Sequence, residues 1–146
     1  MKEDKKMANR NFYGTQINQS ATIVEKAGVD IPDVRNRIMS YHTDGSVRFA
    51  PTGTIIPIGI AITEAGINDI SGKESGMVKG GDDVDIQIKD TGYVLAGGEI
   101  AKGDEVASLN GLAVKAASGD YVLGIALSAA EKDGYCKVQI SKYQKS

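Results

Sequence analysis

Histidine occurs once in the chain, at His42. A lone imidazole supplies neither a multi-histidine metal site nor a histidine-based catalytic pair within one chain. Its place after an apolar-striped segment reads as a solvated end position. Cysteine also occurs once, at Cys136. In "YCKVQI" it alternates with Val138 and Ile140, which turns it inward as a small hydrophobe with no base beside it. A single thiol excludes an intrachain disulfide framework.

Carboxylates gather at Asp82, Asp83 and Asp85 in "GGDDVDIQI", but the spaced oxygen ligands of a calcium loop are missing. A solvated strand start is the expectation there. "SGKESG" lacks the Gly-x4-Gly-Lys-Ser/Thr spacing of a phosphate loop. The pairs Gly80-Gly81 and Gly97-Gly98 do not open a helix, so no dinucleotide cradle forms on them. No nucleophile–base pair or metal set is visible, and the expectation is a protein that is not an enzyme and uses no cofactor and no metal.

The elements that must position these residues fall into three zones. Residues 1–18 are polar, with apolar points at Phe12, Tyr13 and Ile17, and read as a flexible, extended arm. Four basic residues, Arg10 among them, stand against two acidic ones in the first ten, on a chain whose formal net charge is −2. Met7 offers a second start, and the opening residues contain no apolar core of a secretory leader.

Residues 19–45 form a helical or attachment segment. "SATIVEKAG" is open between a helix capped by Ser20 and a strand built on β-branched Thr22, Ile23 and Val24. "DIPDVRNRIMSYH" predicts an amphipathic helix, with Asp30 as cap, Pro32 in the first turn, and Ile31, Val34, Ile38 and Met39 on one stripe.

From Ser46 to residue 146 the period changes to two. The segments "SVRFA", "TIIPIGIAIT", "DVDIQIK", "YVLAG", "DEVAS", "LAVKA", "YVLGIALS" and "CKVQIS" read as strands between Gly-rich turns. Asn110-Gly111 is the dipeptide of a two-residue type I′ hairpin. With 18 glycines, 3 prolines and 5% aromatics, the composition suits a mainly β fold rich in tight turns. A small antiparallel barrel or sandwich is expected. One phrase is written twice: Gly59-Ile60-Ala61 followed by Gln87, and Gly124-Ile125-Ala126 followed by Gln139. Two pseudo-repeated β units sharing one core account for it. No apolar run approaches the roughly 18 residues of a membrane span. No basic face interleaves with aromatics to bind nucleic acid.

The stretch from Gly92 onward resembles the small β proteins that decorate tailed-phage heads: capsid cement, decoration and head-fibre proteins. The likeness is carried by Gly103-Asp104-Glu105-Val106, Asn110-Gly111, Ala113-Val114-Lys115, Gly124-Ile125-Ala126 and Val138-Gln139-Ile140. With "PIGIAIT" it reaches back to Pro57. The resemblance implies a virion accessory protein on the capsid exterior, made in the host cytoplasm. Its partner would be the major capsid protein, and a homo-oligomer, with a trimer favoured, is implied. On that reading Arg10, Phe12, Tyr13 and Ile17 of the arm dock on the shell, in the manner of a strand added to an exposed sheet edge. Ile31, Val34, Ile38 and Met39 pack either on symmetry mates or on the chain's own barrel. The alternative function is a small-molecule or carbohydrate-binding β module.

Overall fold

The computed structural model describes residues 21–62, 65–67 and 75–146. These residues build ten strands: β1 (Thr22–Lys26), β2 (Ile38–Tyr41), β3 (Val47–Phe49), β4 (Gly59–Ala61), β5 (Asp83–Gln87), β6 (Thr91–Leu95), β7 (Glu105–Leu109), β8 (Leu112–Lys115), β9 (Tyr121–Ala126) and β10 (Tyr135–Gln144). They form two antiparallel five-stranded sheets and no closed barrel. The first runs β1-β5-β4-β2-β3 and the second β6-β10-β9-β7-β8.

Adding five to each strand of the first order gives the second. The hydrogen bonds around the strands recur in the same way. Ala27 donates to the Asp82 carbonyl at 2.8 Å, and Ala96 to the Gly134 carbonyl at 2.8 Å. Ile31 and Val78 exchange backbone bonds at 2.8 and 3.0 Å, as Ile100 and Ala130 do at 2.8 and 2.9 Å. A single parallel bridge ties the sheet edges in each half, Ala27 to Val47 and Ala96 to Ala113. The residues behind these bonds spell "AGVDI" and "AGGEI". Gly59 and Gly124 occupy matching strands, and a Cβ on either would come within 2.0 Å of a backbone carbonyl, that of Gln87 or Gln139.

No helix forms among the described residues, which corrects the expectation over residues 30–41. Asn36 takes a left-handed φ of 60° in the middle of that segment, and an α-helix cannot pass through it. Its backbone donors reach distant partners instead of the fourth preceding carbonyl. Val34 donates to Gly76, Asn36 to Ala61 and Ile38 to Gly111, at 2.8–2.9 Å. Asp33 accepts from the Arg35 N–H at 3.1 Å in a local turn. Thr22–Lys26, within "SATIVEKAG", form a strand, as their β-branched run allows. β1 and β2 both precede Ser46, and both are integral to the first sheet.

Each sheet carries its own apolar cluster. One gathers Met39, Val47, Val84 and Ile86 from the first sheet. The other gathers Val94, Val106, Leu123 and Val138 from the second, and takes in Ile38 and Ile60 from the first together with Ala50, which follows β3. Full burial of an aliphatic side chain contributes about 1.5–3 kcal/mol. The borrowed residues therefore bind the halves together as well as filling a core.

Candidate functional site

The residues able to do chemistry are engaged in structure. Cys136 is wholly buried and its Sγ lies 3.3 Å from the Ser128 carbonyl. Burial pushes the thiol up, away from the reactive thiolate. Asp82 accepts from the Lys79 N–H at 2.9 Å, and Asp83 from Lys26 Nζ at 2.6 Å. Asp85 lies in β5, opposite Val24. Among the described residues, no three His, Cys, Asp or Glu side chains are grouped to hold a metal ion. His42 is exposed beside Asp44 at 3.9 Å. The Ser46 hydroxyl and N–H hold the Asp44 carboxyl below its ordinary range.

Ile31, Val34, Ile38 and Met39 are all buried in the chain's own core. Ile38 and Met39 lie in β2, and Ile31 bridges Val78. Their side chains are thus occupied within the chain. Arg10, Phe12, Tyr13 and Ile17 lie outside the described residues.

Among the described residues, a groove lies where the halves meet. Pro57 has no N–H to donate to a ladder. The run "TIIPIGIAIT" accordingly enters the sheet only at Gly59, leaving residues 51–58 as a connection laid across the second sheet. Gly53 accepts from the Tyr121 N–H at 2.7 Å, and the Ile58 carbonyl accepts from Lys142 Nζ at 2.7 Å. Ile55, Ile56, Pro57, Tyr41, Tyr121 and Lys142 line a cleft of about 630 Å³. Ile56 is 62% exposed and Tyr41 49%.

A second cleft of about 480 Å³ shares Tyr41 and Ile55 and adds His42, Arg48 and Phe49. Tyr41 is fixed by its hydroxyl, which donates to Glu25 Oε2 across to β1. That bond raises its phenol above the ordinary range. Arg48 Nε is buried with no acceptor among the described residues. Together the clefts form an apolar surface edged by Lys142 and Arg48, with the shape of a protein-binding groove more than of an enclosed ligand cavity. Sequence reasoning misses it because Ile55 and Ile56 read as strand residues; Pro57 is the one signal that they are not.

No family model matches the chain, and no curated protein matches it. Among solved structures it is similar to the crystal structure of the head fiber gp8.5 N base in bacteriophage phi29. The match has a TM-score of 0.63 at 21% identity, and covers 88% of this chain and 99% of that one. At that identity the likeness establishes the fold. The chain has the fold of a phage head-fibre base, in keeping with the resemblance to head decoration and head-fibre proteins.

Proposed function

We propose that the chain is a non-enzymatic structural protein of a phage virion, a head-fibre base or decoration protein on the capsid exterior. The observation that carries this reading is the extent of the fold match, which takes in nearly the whole of the phi29 base. The repeated strand order fits a scaffold: it repeats a packing solution and, among the described residues, assembles no group of His, Cys, Asp and Glu that could hold a metal ion. We further infer that the two sheets are two copies of one folding unit.

The partner in this reading is the major capsid protein, and the trimer rests on the resemblance alone. The arm at residues 1–18, with Arg10, Phe12, Tyr13 and Ile17, supplies part of the attachment. The test is addition of purified protein to assembled shells of the encoding phage that lack it, read by co-sedimentation and by image reconstruction. Saturable decoration at fixed shell positions is expected, and absence of binding overturns the reading. Deleting residues 1–18 should leave the melting temperature unchanged and abolish attachment; full occupancy by the truncated chain would remove the arm from the account. Light scattering on the free protein decides between trimer and monomer.

A further inference from the structure

The matching strand orders allow the groove to be compared with its counterpart in the second sheet. Offsetting Gly59 onto Gly124 places Ile56 at Tyr121 and Pro57 at Val122. In the second sheet Tyr121 and Val122 have a strand beside them: they pair with Gln144 and Tyr143 at the end of β10. In the first sheet β5 stops at Gln87, and the chain turns through Asp90 into β6. On the β5 side, Ile55 to Pro57 consequently pair with no strand among the described residues, and the cleft runs along them.

The lining carries basic side chains and no carboxylate: Lys142 lines the first cleft, and Arg48 the second. Two carboxylates stand at the rim, Glu25 accepting from the Tyr41 hydroxyl and Asp44 lying 3.9 Å from His42, which leaves Lys142 as the cation facing the first cleft. This local charge stands on a chain of net −2. The chain's own first ten residues, with four basic against two acidic, are the wrong sign to fill it.

We propose that the groove along Ile55 and Ile56 receives an extended segment of the shell surface that carries apolar side chains and at least one carboxylate. The segment lies against the 55–57 connection as Tyr143 and Gln144 lie against Tyr121 and Val122. Its apolar side chains cover Ile56 and Tyr41, and its carboxylate meets Lys142. Main-chain bonding gives such a contact its hold, and the side-chain clefts give it selectivity. The source of the segment rests on the proposed function; the groove and the chemistry it selects do not.

The experiment uses the full chain on assembled shells. Ile56→Asp and Lys142→Glu are compared with Val24→Asp, a control at another exposed apolar position, 56% accessible on β1. Both groove variants should weaken shell binding at least ten-fold with an unchanged melting temperature, while the control moves it less than two-fold. A benzoylphenylalanine placed at Ile56 should crosslink to a shell peptide containing Asp or Glu. Wild-type binding with both groove variants unaffected overturns the groove and leaves the proposed function standing. Crosslinks confined to residues 1–20 or to a second copy overturn the assigned occupant. Failure of the wild-type chain to bind shells overturns the proposed function, and with it the source of the segment.

Discussion

Cys136 illustrates how a reactive residue type becomes a packing residue. Its thiol is sealed in the second apolar cluster, and burial pushes its ionisation up. A thiol-specific reagent such as dithionitrobenzoate should therefore react with the native chain only through opening of the second sheet, and within seconds once the chain is unfolded in denaturant. Rapid stoichiometric reaction of the native protein would contradict this burial. Tyr143 offers a second residue-scale test. Its hydroxyl donates to Glu105 Oε2 at 2.5 Å, and Lys145 Nζ stands 2.9 Å from Glu105 Oε1. Hydrogen bonds from Lys145 and then Tyr143 hold the Glu105 carboxyl below its ordinary range. The bond to Glu105 in turn pushes the Tyr143 phenol up to about 12 from 10.0. Because the folded value is the higher one, the stabilisation is complete below the ordinary phenol range and is lost as pH rises through about 12. In an absorbance titration at alkaline pH, Tyr143→Phe should remove a phenol that ionises at about 12, and Glu105→Gln should bring that ionisation down.

At the scale of elements, the two glycines of the doubled phrase make the sharpest comparison. Gly59 and Gly124 sit in corresponding strands, each with a backbone carbonyl 2.0 Å from where a Cβ would be. Backbone cannot swing aside as a flexible side chain can. Gly59→Ala and Gly124→Ala should each cost about 1–3 kcal/mol or more by overpacking, and to a similar extent, measured by urea unfolding. A cost at one and none at the other would separate the halves. Much of this layout is legible in the chain. The period-two runs after Ser46 bounded by glycine turns yield β5 to β10 nearly as they stand, and Asn110 and Gly111 take φ of 53° and 83° as their type I′ hairpin requires. The segment at residues 30–41 is not legible, because Ile31, Val34 and Ile38 fit a helical stripe and equally fit a chain bent by left-handed Asn36. Nothing local decides between them; the partners Gly76, Ala61 and Gly111 do, and all are distant in sequence. The groove is hidden for a related reason: among the described residues β5 stops at Gln87, whereas β10 in the second sheet runs on to Gln144, and Ile55 and Ile56 are left exposed.

At the scale of the whole molecule, the matching strand orders raise the question of whether the halves are independent. The strand order treats them as two units, but the packing does not. Ile38 pairs in the first sheet with Ile60, yet both side chains lie in the cluster of the second. Backbone bonds cross in both directions: Ile38 to Gly111 at 2.8 Å, Gly111 to Ala50 at 2.9 Å, Leu95 to Asn36 at 2.9 Å. The buried Ser108 hydroxyl donates to the Ala50 carbonyl at 2.7 Å. A half unfolding alone would expose these apolar side chains and leave buried polar groups unpaired, costs the other half cannot offset. The chain should accordingly unfold in one cooperative step. Ile38→Ala, at a fully buried position, should cost about 2–5 kcal/mol and move that single transition to lower urea without splitting it. The check is coincidence of far-ultraviolet circular dichroism with tyrosine fluorescence, whose reporters include Tyr41 in the first sheet and Tyr93, Tyr121, Tyr135 and Tyr143 in the second. Two separated transitions in the variant would show that each sheet holds its fold without the other, and that the shared residues are a contact between finished units and not part of a common core.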